Sequence, residues 1–176
     1  AETLDKIRKE IRAGMKTSDI DDIAREYILS RKARPACLGY MGYPASICVS
    51  VNEEEIHGIP GKRVIKEGDI VSLDAGLIYK GYHSDAARTH AVGQISPQAQ
   101  KLLDVTKQSF FERIKMAKAG NHLHDISNAI DAYISQFGYG IVRDLVGHGI
   151  GKNLHEEPDV PNYGKAGIGP KLKDGM

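Results

Sequence analysis

The stretch Asp69–Tyr79, DIVSLDAGLIY, constrains the fold more than any other part of the chain: it is an apolar, β-branched run with an aspartate in its middle. Lys80-Gly81 follows as a two-residue turn and Tyr82–Val92 as a second extended run, which predicts an antiparallel hairpin. Helical spacing surrounds it. Leu4, Ile7, Ile11 and Met15, then Ile20, Ile23, Ala24, Tyr27 and Ile28, predict two N-terminal helices, the second capped by Thr17 or Ser18. Ile47–Val51 predicts another strand. Ser96-Pro97 opens a long helix to about Ala119, closed by Gly120, and Asp125–Phe137 predicts a last helix ending at Gly138. Gly140–Val146 resembles a strand leading into GHGIG. Helices mixed with hairpins, without a βαβ alternation, predict an α+β fold with helices on one face of a largely antiparallel sheet.

A length of 176 residues fits one domain, 1–176, with room for one sizeable core. Lys plus Arg number 24 and Asp plus Glu 23, so the net charge of +1 provides no basic field for nucleic acid or an anionic membrane. No window approaches the ~18 uninterrupted apolar residues of a membrane span. Cys37 and Cys48 lie outside any CxxC spacing, and the charged, amphipathic N-terminus lacks the apolar core of a secretory signal. A soluble, cytoplasmic protein with reduced thiols is expected. A chain that starts at Ala1 and stops at LKDGM reads as cut at both ends.

Three groups of residues carry chemistry. With Lys80-Gly81 as the turn, Gly76 faces Asp85, which sets Asp74 and Asp85 on one face at the diagonal distance where side chains meet. Either the two carboxylates converge on a divalent cation that removes their repulsion, or one caps a turn and the other is solvated. His148 and His155 form the second group, in GHGIGKNLHEEP; the glycines beside His148 allow a close backbone approach or positive φ, and imidazole is a common ligand for first-row metals. Singly, each is better explained as a satisfied loop residue than as a ligand. His57, in NEEEIHGIPG, is the third, in a Gly/Pro-bounded loop after a strand. His83 and His90 read as hairpin residues, His122 and His124 as residues at a helix start.

The strings ACLGYMGYPASICVSVNEEEIHGIPG, DIVSLDAGLIYKGYHSDAART and LVGHGIGKNLHEEP, in that order, resemble a type I methionine aminopeptidase of the bacterial kind, over essentially the whole chain. The resemblance implies the pita-bread fold, antiparallel sheet backed by helices, here incomplete at its C-terminal end. It implies removal of the initiator methionine from nascent polypeptides, close to the ribosome, by a monomeric enzyme using two divalent metal ions. The donor set would accept Mn, Fe, Co, Ni or Zn. Asp74, Asp85 and His148 match three metal ligands; His57 matches the histidine near the scissile amide and His155 the one that contacts the substrate carbonyl. Cys37, Tyr40, Tyr43, Cys48 and Leu154 match the methionine pocket, whose soft, apolar walls suit a thioether. Leu154 stands where an aromatic residue is expected, and the chain has no Trp.

The same resemblance places two glutamate ligands farther toward the C-terminus, whereas the carboxylates after Glu157 are Asp159 and Asp174. The expectation is a partial metallopeptidase domain whose 176 residues alone are inactive and whose intact parent is the enzyme. Two rivals share the fold. A proline-directed peptidase usually carries an extra N-terminal domain and lacks the Cys/Tyr pocket before His57. A metal-free peptide- or protein-binding relative would be expected to have eroded Asp74, Asp85 and His148 as well.

Overall fold

The computed structural model describes residues 1–176. They form two compact units: Ala1–Ala99 with Ile150–Leu154, and Gln100–Gly149 with His155–Met176.

In the first unit, α1 (Glu2–Arg8) and α2 (Thr17–Ser30) precede β1 (Arg34–Pro35), a 3-10 turn at Tyr40–Gly42, β2 (Cys48–Val51), β3 (Ile70–Asp74), β4 (Leu77–Tyr79), β5 (Tyr82–Ser84) and β6 (Ala87–Ala91). All pairings are antiparallel and make two sheets, ordered β2-β3-β6 and β1-β4-β5. Leu4, Ile7, Ile20, Ala24 and Ile28 bury the inner stripes of the helices in one core with Ile47, Val49, Val51, Val71 and Leu73. Each fully buried Leu, Ile or Val stabilises by roughly 1.5–3 kcal/mol. Period-two alternation explains how an aspartate sits in this strand: Val71 and Leu73 point into the core, and Asp74 shares the other face with Ser72.

The hairpin forms where expected, Tyr79 facing Tyr82 across Lys80 and Gly81, both with positive φ (51° and 82°) as the favoured two-residue turn requires. The long run does not remain one strand. It passes from one sheet to the other at Ala75-Gly76 and returns at Asp85-Ala86, with the Ala75 N–H donating to the Ala86 carbonyl at 3.0 Å.

Helix boundaries also differ. Lys16, not Thr17 or Ser18, precedes α2, and the Asp19 carboxylate accepts its N–H at 2.8 Å. Thr17 is diverted to the loop at Gly61, its hydroxyl accepting the Gly61 N–H at 2.9 Å. α1 ends at Arg8, and Ile11 and Met15 pack on the core from the loop beyond it.

In the second unit lie most of α3 (Pro97–Ile114), α4 (Leu123–Ser135), β7 (Gly147–Gly149) and β8 (Glu156–Val160). Ser96 caps α3 as expected, its Oγ accepting the Ala99 N–H at 3.1 Å, but the helix stops five residues short of the expected Ala119. His122 precedes α4, whose start is tied down by Asp125: its carboxylate accepts the His122 and Gly167 N–H groups, each at 2.7 Å. The strand expected over Gly140–Val146 does not form there. It begins at Gly147, where β8 offers a partner. No helix is long and apolar enough to cross a membrane.

Candidate active site

Asp74 closes β3, opposite Cys48 on β2 and Ala87 on β6, and Asp85 lies two residues before Ala87. That is the diagonal relation expected from the turn, and the two carboxyl groups meet in a side-chain hydrogen bond. Burial, then the Asp85 charge, push the Asp74 carboxyl up to about 7. The pair therefore holds a proton where two free carboxylates would repel, and a divalent cation would supply the same compensation with more charge. These carboxylates fit a metal ion. Their interaction favours the converging pair over the reading in which one caps a turn and the other is simply solvated.

The second group is built by the β7–β8 ribbon. Gly147 faces Val160, His148 faces Asp159 and Gly149 faces Glu156, with a bulge between His148 and Gly149. Close approach of backbone, not positive φ, requires glycine at 149 and crowds position 147. A Cβ on Gly149 would stand 2.4 Å from the Glu157 carbonyl oxygen, and one on Gly147 would stand 3.2 Å from that of Val160. His148 Nδ1 lies 2.8 Å from the Gly149 carbonyl oxygen, so Nδ1 carries the proton in the neutral ring and Nε2 the lone pair. A backbone carbonyl orienting an imidazole in this way is the arrangement that suits a metal ligand. His155 comes beside it, the ring centroids 4.2 Å apart and inclined at 51°. The structure shows no group of three or more His, Cys, Asp or Glu side chains gathered to hold a metal ion.

His57 is exposed and has a φ of 58°, a left-handed conformation uncommon for a residue with a Cβ. Gly58, the next residue, is pinned against β2. The Val49 N–H donates to the Gly58 carbonyl at 2.9 Å, the Gly58 N–H donates to Ser50 Oγ at 3.0 Å, and a Cβ on Gly58 would stand 2.3 Å from the Val49 carbonyl oxygen.

Four of the five expected pocket residues are drawn together in the first unit. Ala36, Cys37 and Leu154 pack over Gly76: a Cβ built there would meet Ala36 Cβ at 3.2 Å and Cys37 Sγ and Leu154 Cδ1 each at 3.5 Å. The Cys48 thiol hydrogen-bonds to Cys37, which lowers Cys37 to about 7, while the same bond and burial push Cys48 up. Tyr43 stands beside Cys48 and donates to the Gly58 carbonyl at 2.9 Å. Tyr40, the fifth, sits on the 3-10 turn and is 42% exposed.

One positioning residue escaped the sequence reading. Asp21 accepts the N–H groups of Ser46 and Ile47 at 2.8 and 2.9 Å, anchoring the start of β2 behind the pocket. The signal was a carboxylate next to the buried stripe of α2, and burial indeed raises it while the two N–H groups oppose the rise. His83, His90, His122 and His124 occupy the hairpin and helix-start positions expected of them.

Metallopeptidase family M24 matches residues 1–176. A methionine aminopeptidase of Clostridium acetobutylicum is 56% identical over 99% of the chain, and methionine aminopeptidase 1 of Bacillus subtilis is 47% identical over the same share; the match spans 70% of each relative. The crystal structure of methionine aminopeptidase from Rickettsia prowazekii superposes with a TM-score of 0.98 at 39% identity, covering 99% of this chain and 71% of that one. The prolidase of Pyrococcus horikoshii, at 23% identity and a TM-score of 0.81, shares the fold. With its pita-bread architecture, its carboxylate pair and its imidazole pair, the chain belongs to metallopeptidase family M24 and, within it, to the bacterial methionine aminopeptidases.

Proposed function

We propose that the protein removes N-terminal methionine from nascent polypeptides, with Asp74, Asp85 and His148 as ligands of two divalent metal ions. The observation that carries the ligand assignment is the Asp74–Asp85 contact, two carboxylates held together at the cost of a raised proton affinity. Bound divalent ions supply a lowered pKa for a coordinated water and charge for the developing oxyanion. His148 keeps Nε2 as its donor atom through the Nδ1–Gly149 hydrogen bond. His155, beside it, holds the substrate carbonyl oxygen, and His57, held in place by Gly58 against β2, bonds to the amide to be cleaved. Cys37, Tyr40, Tyr43, Cys48 and Leu154 take the methionine side chain; the thiols and the Tyr43 ring provide the soft, weakly polar wall a thioether fits. Residues 1–176 act in this reading as part of one catalytic domain, in a monomer that works in the cytoplasm near the ribosome.

The test is release of methionine from Met-Ala-Ser by the full-length gene product. The wild type should cleave it and spare Leu-Ala-Ser, H155A and H57A should lose most of kcat, and D85N should be inactive. Equal rates on the two peptides would overturn the pocket, and a fully active D85N would overturn the ligand set.

A further inference from the structure

The chain has two cysteines, and the fold places both at one spot. Cys37 follows Ala36, whose N–H donates to the Gly76 carbonyl at 2.9 Å, and Cys48 lies opposite Asp74 in the β2–β3 ladder. The loop after β1 and strand β2 thus approach the same short segment, Asp74–Gly76, from two sides. There the two thiol side chains interact with each other. Cys37 Sγ lies 3.5 Å from where a Cβ on Gly76 would stand, which places it directly over that segment. Their accessibility is unequal: Cys37 is partly exposed, whereas Cys48 is 5% exposed. One thiol faces an oxidant and the other waits behind it, in contact, which is the layout of a reactive cysteine with its resolving partner.

We propose that Cys37 and Cys48 form a reversible disulfide under hydroperoxide, closing the methionine pocket. The Cys37 sulfur attacks one peroxide oxygen, the O–O bond breaks, and the departing oxygen leaves as water with the thiol proton. Cys37 is then a sulfenic acid. The Cys48 sulfur attacks the Cys37 sulfur, the S–S bond forms, the S–O bond breaks, and a second water carries off the hydroxyl and the Cys48 proton. Two thiols have lost two electrons and two protons, and one hydrogen peroxide has become two waters; a dithiol reductant reverses the change by thiol–disulfide exchange. The bridge ties the loop at Cys37 to β2 and pulls both sulfurs from the surface they offer to a thioether. This consequence for catalysis rests on the pocket assignment proposed above; the bridge itself does not.

The experiment treats the reduced full-length protein with hydrogen peroxide, with and without excess methionine amide. Readouts are titration of denatured thiols, peptide mass spectrometry and dimedone trapping. Formation of an intramolecular Cys37–Cys48 peptide pair, two hydrogens lighter and reversed by dithiothreitol, is the expected result, with any other cysteines of the full-length protein keeping their titre. Oxidation that stops at a dimedone-trapped Cys37, or that links separate chains, or that leaves both thiols titratable, would overturn the proposal. Methionine amide should slow the bridging several-fold. A bridge that forms at the same rate with the amide present supports the disulfide and overturns the pocket reading, so the two failures are separable.

Discussion

At Gly58 a hydrogen atom is all that fits. A methyl group would stand 2.3 Å from the Val49 carbonyl oxygen and 2.9 Å from Ser50 Cα, and both neighbours are strand backbone that cannot swing aside. Gly58→Ala should therefore destabilise by about 1–3 kcal/mol, the usual cost of overpacking. Because Gly58 holds the chain beside His57 against β2, kcat on Met-Ala-Ser should fall further than the loss of folded protein explains. Thermal denaturation beside steady-state kinetics measures both, and unchanged kcat would detach His57 from the reaction. His90 illustrates a different consequence of burial. It is 8% exposed on β6, its Nε2 has no hydrogen-bond partner, and burial reinforced by Arg88 and Arg8 holds its imidazole below the ordinary value. The folded state thus binds fewer protons than the unfolded one, so the stability is present above about pH 6.5 and is lost as pH falls from there through the lowered folded value. Denaturant midpoints should drop over that window in the wild type and drop less in H90Q; parallel curves would contradict the account.

Among the elements, α4 depends on a single carboxylate for two tasks. Asp125 accepts the N–H of His122 at the helix start and that of Gly167 in the segment after β8. Asp125→Ala should cost about 1–2 kcal/mol, the upper part of the range for a lost cap. Asp19→Ala, which frees only the Lys16 N–H, should cost about 1 kcal/mol or less. Urea midpoints of the two variants test the order, and the reverse order would refute it. Legibility at this scale followed the physics. The hairpin could be read because a two-residue turn fixes register, and register alone brought Asp74 to Asp85. The strand at Gly140–Val146 was misplaced because apolar residues signal extension without saying whether a partner strand exists, and β8 reaches only Gly147–Gly149. The cap of α2 was missed because Lys16 contributes its backbone while Asp19, three residues on, does the capping. Asp21 was missed because its partners, Ser46 and Ile47, are 25 and 26 residues away, a distance no local pattern encodes.

For the molecule as a whole, the proposed function calls on residues far apart in the sequence: a carboxylate pair from the hairpin and an imidazole from the β7–β8 ribbon. Each was legible as residue chemistry, but only the combined order of the three strings carried the family, which the 56% identity to a clostridial methionine aminopeptidase bears out. The balance of charge, +1 over 176 residues, provides no large basic field. The central claim is that Asp74, Asp85 and His148 are metal ligands. Calorimetric titration of the full-length gene product with manganese tests it most directly, comparing the wild type with D85N and H148A after chelator treatment. The account predicts tight uptake by the wild type and at least about 10-fold weaker uptake by each variant. Identical affinity and stoichiometry in all three would contradict it.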